Sequence, residues 1–257
     1  MLLFLILGAV IGLFVAGIPG AVIGALGGAL LGRTLLTTLF ARGLDAVRAQ
    51  FLESTFAVMG AVAKADGRVS ADEIRVAERF FERLALSTEQ RRSAQDAFNR
   101  GKAADFDLDR EVQRLRAVAG RSPALLQFFI EVQLGAAAAD GRIDDAEHRL
   151  LVRVARGLGL SEADVERLES MLRGTSGERT PGRDTSRPRI DDAYATLGVD
   201  PDASDSEVKQ AYRRLMSQHH PDKLAARGLP ESMRSVAEEK TREIRAAYDA
   251  IRESRSG

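Results

Sequence analysis

The residues most capable of proton transfer lie together at His219-His220-Pro221-Asp222. A histidine near an aspartate is a common pairing in acid–base catalysis. Here the side chains flank a rigid proline in one segment, and no nucleophile motif or set of metal ligands lies nearby in the sequence. We therefore predict that the chain is not an enzyme and that it needs no cofactor.

A second set of reactive side chains lies in an internal repeat, where residues 65–73 (ADGRVSADE) match residues 139–147 (ADGRIDDAE). Asp-Gly pairs favour tight turns, and a following Ser or Asp can cap the next helix, so turns and caps are the favoured interpretation. Carboxylate oxygens also suit hard cations, although the spacing lacks the alternating acidic ligands of an EF-hand loop. A metal or acidic-ligand site therefore stays open as the alternative. Its candidate residues are Asp66, Asp140, Glu73 and Glu147.

The composition predicts an all-α protein without a charge bias. Lys plus Arg equals Asp plus Glu, at 37 each in 257 residues, so the net charge favours no nucleic-acid partner. Cysteine is absent, which excludes disulfides and thiolate metal sites and suits a reducing compartment. Strand-type runs are scarce, and apolar residues recur mainly at helical spacing.

The first 32 residues predict a transmembrane anchor, because no charged residue precedes Arg33. About 20 apolar residues suffice to span a bilayer, and this run is longer and has no basic start, unlike a signal peptide. Arg33, Arg42 and Arg48 follow it, so the positive-inside rule predicts a short N-terminus outside and the C-terminal bulk in the cytoplasm. A hairpin that turns at Pro19 is the alternative.

Glycines in the anchor recur every four residues, and such rows let two membrane helices approach closely. Glycine is also simply common in membrane helices, so the pattern alone is ambiguous. We predict a homodimer through this face. The residues in register are Gly20, Gly24, Gly28 and Gly32.

Between the anchor and the C-terminal region the sequence predicts a helical bundle and then a linker. Residues 41–173 alternate helix starts with apolar runs and are long enough to bury a core. Residues 174–189 are rich in Gly, Ser, Thr, Pro and Arg and cannot form a core, so a flexible linker is expected.

Residues 190–257 predict a helical hairpin after one short helix. Ser204 and Glu207 form a capping box for a helix with one apolar stripe, and Pro221 ends that helix at His220. A loop to Pro230 then leads to a last helix with a matching stripe, against which the first would pack. The first stripe is Val208, Ala211, Tyr212, Leu215 and Met216; the second is Met233, Val236, Ala237, Lys240, Ile244, Ala247, Tyr248 and Ile251.

The order of these C-terminal features resembles a J domain, the module by which co-chaperones engage DnaK-type heat-shock ATPases. The resemblance is carried by the tripeptide His220-Pro221-Asp222 and its flanking helices. It implies that a basic helix face docks on an acidic surface of the ATPase while the tripeptide couples substrate capture to hydrolysis. The implied binding residues are His220, Pro221, Asp222, Lys209, Arg213, Arg214 and Lys223.

The middle region resembles the TerB-like helical domain, and the order anchor, TerB-like domain, linker and J domain resembles membrane-anchored J-domain co-chaperones. The resemblance implies a co-chaperone of the Gram-negative inner membrane that recruits a DnaK-type ATPase, stimulates its hydrolysis and delivers membrane-proximal clients. The identity of the client does not follow from the sequence. The alternative is a membrane stress or ion sensor centred on the TerB-like domain, with the J domain as its output arm.

Overall fold

The computed structural model of the chain describes residues 2–65, 78–84, 86–120, 122–138, 143–175 and 190–256. Every regular element among them is helical, as the sequence predicts. Two compact units are present, Met1–Ala46 and Val47–Gly257. The helices are α1 (Leu2–Val62), α2 (Thr88–Gly101), α3 (Leu108–Ala119), α4 (Pro123–Ala137), α5 (Asp145–Leu158), α6 (Glu162–Thr175), α7 (Ile190–Leu197), α8 (Asp205–His219), α9 (Pro221–Ala225) and α10 (Arg234–Ser256), with a helical stretch at 78–83 and a 3-10 turn at Glu231–Met233.

Within the first unit the chain doubles back on itself. A Cβ atom placed on Gly32 would lie 2.8 Å from the Cβ of Phe4, whereas 28 residues of straight helix would span about 42 Å. The reversal coincides with Gly17, whose φ of +63° favours glycine, and with Pro19 inside α1. Segment Gly17–Leu35 is long and apolar enough to cross a membrane, with a mean hydropathy of 1.4, and Leu2–Val15 is a shorter apolar helix. The turn agrees with the hairpin alternative, but among the described residues only Gly17–Leu35 is long enough to span, so the membrane topology stays a prediction.

The second unit contains a bundle built from the end of α1 through α6. Its core is aromatic at the centre, where the rings of Phe51 and Phe129 meet edge to face with centroids 5.5 Å apart. Local sequence signals begin and end these helices. Ser87 and Gln90 form the capping box of α2, and Gly159 ends α5 at φ +88°.

The C-terminal region begins with the short helix α7, which Gly198 ends at φ +62°, a left-handed conformation that favours glycine. Ser204 and Glu207 form the predicted capping box of α8. Helices α8 and α10 are antiparallel and pack against each other through their apolar stripes. Val208 and Leu215 of α8 are buried together with Ile244, Ala247 and Ile251 of α10. The rings of Tyr212 and Tyr248 stack at 4.3 Å between centroids.

Two expectations for this region need correction. The segment after His220 is not wholly a loop, because α9 forms there with Pro221 at its first position, where a missing N–H costs no hydrogen bond. The stripe of α10 does not pack on α8 along its whole length. Met233, in the 3-10 turn just before α10, and Ala237 of α10 are instead fully buried in the core cluster of the bundle.

Some predicted features lie outside the described residues. Asp66, Asp140 and Glu73 are among them, and so is most of the predicted linker, residues 176–189. Glu147 is described: it accepts a hydrogen bond of 2.9 Å from the backbone N–H of Asp144. That carboxylate therefore serves the capping box of α5, as the turn-and-cap interpretation predicts.

Candidate functional site

The tip of the hairpin is a sharp corner between α8 and α9. His220 has φ −59° and ψ 123°, an extended conformation that the following proline favours, so α8 ends at His219, one residue before the predicted end at His220. The imidazole Nδ1 of His220 accepts a hydrogen bond of 3.2 Å from the backbone N–H of Asp222. This bond caps α9 and fixes the ring against the corner, which leaves Nε2 as the nitrogen available to a partner.

Asp222 is held at the tip by α10. Its Oδ1 accepts a hydrogen bond of 2.7 Å from a terminal nitrogen of Arg234, whose Nε lies 3.1 Å from Glu238. The hydrogen bonds to Asp222 and Glu238 raise the pKa of Arg234 above its ordinary value. The Asp222 side chain is 67% exposed, so the ion pair with Arg234 orients the carboxylate at little energetic gain and opens easily when another cation approaches.

The predicted basic face of α8 is exposed to solvent. Lys209, Arg213 and Arg214 point away from the buried stripe, and no ion pair within the described part of the chain involves them. Lys223 is exposed as well, and its Nζ donates a 2.7 Å hydrogen bond to the hydroxyl of Ser217. All four predicted cations therefore share the hairpin that carries His220, Pro221 and Asp222, and the three on α8 lead along the helix toward the tip.

Arg255 fastens the opposite end of the hairpin. Its guanidinium donates hydrogen bonds to Asp205 (2.6 Å), to the carbonyl of Ala203 (2.6 Å) and to the hydroxyl of Tyr194 (2.9 Å). The hydrogen bond to Asp205, followed by the one to Tyr194, raises the pKa of Arg255 above its ordinary value. One side chain thus links α7, the start of α8 and the end of α10, which fixes the angle at which the tip is presented.

His219 is a residue of this site that the sequence did not assign. Its Nδ1 lies 2.9 Å from the carbonyl of Leu215, and its Nε2 lies 2.7 Å from a carboxylate oxygen of Glu131 in α4. A carbonyl can only accept, so Nδ1 carries a proton. A usable signal existed, because His219 follows Leu215 by four residues and so continues the apolar stripe of α8.

The described residues contain no cluster of three or more His, Asp or Glu side chains that could hold a metal ion. Within the described part of the chain, the side-chain polar contacts of His220 and Asp222 are to each other and to Arg234, and none of these contacts brings in a nucleophile. Among the described side chains, the site therefore consists of the oriented imidazole of His220, the oriented carboxylate of Asp222 and a basic row formed by Lys209, Arg213 and Arg214. These are groups suited to recognising a charged protein surface.

Comparison with known proteins agrees with this architecture. The family of tellurite resistance protein TerB matches residues 52–170, and the DnaJ domain family matches residues 192–256. Co-chaperone protein DjlA of Vibrio vulnificus strain CMCP6 is 41% identical over 240 residues, covering 85% of this chain and 84% of the relative. The protein of the same name from Shewanella oneidensis is 44% identical, covering 80% and 78%, and that from Coxiella burnetii is 40% identical, covering 97% and 92%.

No solved structure matches the chain significantly. The sequence relatives nevertheless cover most of the chain at high identity, and the TerB and DnaJ domains follow one another in the predicted order. The chain is a J-domain co-chaperone that belongs to the DjlA family.

Proposed function

We propose that the chain recruits a DnaK-type chaperone ATPase through the tip of its hairpin and stimulates ATP hydrolysis by that partner. The observation that carries this proposal is the oriented pair His220 and Asp222 beside an exposed basic row, in a chain of the DjlA family. Complementary charge speeds encounter and sets register more than it adds affinity. We therefore infer weak binding that salt weakens further, with the chain itself acting as a regulator and not as an enzyme.

The test is single-turnover ATP hydrolysis by purified DnaK, with the full chain in nanodiscs. Asp222→Asn keeps the size of the side chain and removes its charge, and we expect it to abolish stimulation. Asp202→Asn makes the same chemical change at an exposed aspartate distant from the tip, and it should stimulate like the wild type. Equal loss in both variants, or no loss in either, would refute the proposed role of the tip.

The basic row is tested by its salt dependence. Arg213→Ala with Arg214→Ala should slow association with DnaK at low salt and flatten the dependence of the rate on ionic strength. Arg227→Ala removes an exposed cation outside the row and serves as the matched control. An association rate that does not respond to salt in the wild type would contradict electrostatic docking.

We further propose that the first unit anchors the chain in the bacterial inner membrane, with the bundle and J domain in the cytoplasm, where they deliver membrane-proximal clients. The basic flank after the anchor and the DjlA relatives support this. The glycine row would serve a homodimer, but Phe4 lies against Gly32 in the doubled-back chain. The same face cannot hold Phe4 and a second copy together, so a dimer requires the straight span.

A single experiment separates these two states of the anchor. The chain has no cysteine, so Leu2→Cys provides a unique label. Labelling in intact spheroplasts by a membrane-impermeant maleimide is expected for a straight span with the N-terminus outside. Labelling only in inverted vesicles would establish the hairpin and remove the proposed dimer face.

A further inference from the structure

The segment that follows the tip is buried against the bundle and not within the hairpin. Leu224, Leu229 and Met233 are at most 1% exposed, and they belong to the core cluster of the bundle. Gly228 approaches α1 so closely that an added Cβ would lie 2.8 Å from the Cβ of Val47. The φ of Gly228 is +105°, which also favours glycine at this point of approach.

A His–Glu pair also joins the bundle to the J domain, at the end of α8. His219 is 2% exposed, and its Nε2 lies 3.0 Å and 2.7 Å from the two carboxylate oxygens of Glu131. Because Nδ1 donates to Leu215, a proton on Nε2 makes the ring an imidazolium that faces an ionised Glu131. Gln127 donates a further hydrogen bond of 3.0 Å to the Glu131 carboxylate.

The groups around this pair favour its charged form. Burial alone would raise the pKa of Glu131, but the charge and hydrogen bond of His219, with Lys240 and Gln127, lower it. Burial likewise opposes the charge on His219, while Glu131 and the carbonyl of Leu215 raise the pKa of His219 and Lys240 lowers it. The charged groups that face the imidazole are thus Glu131 of α4 and Lys240 of α10.

Two further contacts join the bundle to the J domain. Arg83 forms an ion pair with Glu239 of α10, with both side chains nearly half exposed. A Cβ on Gly198, at the end of α7, would overlap the methyl group of Met171 in α6. The contact between the bundle and the J domain therefore extends from α7 to the segment after the tip. His219 of the buried pair is the residue directly before His220.

We propose that the bundle is a docking platform for the J domain and that the Glu131–His219 pair is its latch, which holds the domain while charged and releases it when either charge is lost. In this scheme the J domain is docked on the bundle and can open, and the flexible linker at residues 174–189 stays a prediction. Glu131 is a positioning residue in this scheme, since it acts on the tip through His219.

The pH window of the latch follows from the two shifts. The raised pKa of His219 gives docking a contribution that is complete below about pH 6.5 and is lost as the pH rises through the raised value. The lowered pKa of Glu131 gives a contribution that is complete above about pH 4.3 and is lost as the pH falls through the lowered value. Docking is therefore tightest in mildly acidic solution. Above pH 6.5 the ratio of open to docked chains rises by up to about tenfold per pH unit, until the pH reaches the raised pKa of His219.

The test is single-molecule energy transfer between dyes on the two sides of the contact, in the full chain in nanodiscs. Ser93→Cys in the bundle and Gln210→Cys in the J domain are both exposed, and the chain has no native cysteine to interfere. In the doubly labelled protein that keeps Glu131, we expect a docked population at pH 6 and a growing open population from pH 7 to pH 9. Glu131→Gln keeps the size of the side chain, and we expect it to populate the open state at pH 6 and to lose or reverse the opening between pH 7 and pH 9.

The matched control is Glu239→Gln, which removes the exposed ion pair to Arg83 in the same contact. Solvent screening makes that pair weak, so we expect the pH response to persist. Circular dichroism checks that each variant stays folded, and Glu131→Asp serves as a rescue variant that restores the charge. A distribution unchanged from pH 6 to pH 9, or a Glu131→Gln variant that keeps the pH response, would overturn the proposal. The measurement needs no chaperone, so it stands apart from the test of the proposed function.

Discussion

Replacing Gly101 by alanine should destabilise the bundle through a backbone clash. Gly101 ends α2 where this helix crosses α1, and a Cβ there would overlap the carbonyl oxygen of Ala57 and lie 2.8 Å from its carbonyl carbon. Gly60 of α1 makes the reciprocal approach, since a Cβ on it would overlap the carbonyl oxygen of Phe98. Two glycines facing each other's backbones therefore set the distance between these helices.

The magnitude follows from two opposing effects. Overpacking of this kind costs about 1–3 kcal/mol, and the upper part of that range applies because a backbone carbonyl cannot rotate away. The higher helix propensity of alanine compared with glycine offsets at most about 1 kcal/mol of this cost. We therefore expect Gly101→Ala to lower the free energy of unfolding by about 2 kcal/mol, which corresponds to a Tm lower by roughly 4–8 °C in a unit of this size.

The assay is thermal unfolding of the chain followed by circular dichroism, beside Gly135→Ala. Gly135 is exposed in α4 and has no neighbour within 4 Å of an added Cβ. That variant gains helix propensity without a clash, so its Tm should equal or exceed that of the wild type. If Gly101→Ala proved as stable as Gly135→Ala, the close crossing of α1 and α2 would be wrong.

Two further predictions concern the J domain. Ser204→Ala removes the hydroxyl that caps α8 and should cost about 1 kcal/mol in urea unfolding, whereas Ser235→Ala, at an exposed serine, should cost almost nothing. Arg255→Met keeps most of the side-chain length but removes the bonds to Ala203 and Asp205, so amide hydrogen exchange should quicken around residues 198–205 while the bundle core keeps its protection.

The features that the sequence predicted well are those set by neighbours along the chain. The capping box at Ser204 and the end of α8 before Pro221 both follow from a few adjacent residues. Each depends on local hydrogen bonding or on φ alone, so no tertiary information is needed. The same locality explains why the all-α class was predictable from periodicity.

Short elements at the tip were harder to predict. Helix α9 has only five residues, too few for any apolar period to reveal it, and its cap is an imidazole of His220. Histidine is not among the residues that usually cap helices. Gly228 and Pro230 are typical loop residues, so the sequence predicts a loop here and does not reveal the helical turn that orients Asp222.

The docking contact could not be predicted, because periodicity identifies a buried face without identifying what covers it. Met233 and Ala237 fall on the same stripe as Ile244, yet the first two lie in the bundle cluster and the third lies in the hairpin cluster. The apolar stripe shows no break where the packing partner changes from the bundle to α8, because both partners present apolar helix faces. Only the charged pair distinguishes them: His219 and Glu131 are 88 residues apart, and a histidine on an apolar stripe requires a buried partner that the hairpin alone does not supply. A titratable residue on an otherwise apolar stripe thus indicates that a polar partner is buried against it, and at His219 that partner comes from the bundle.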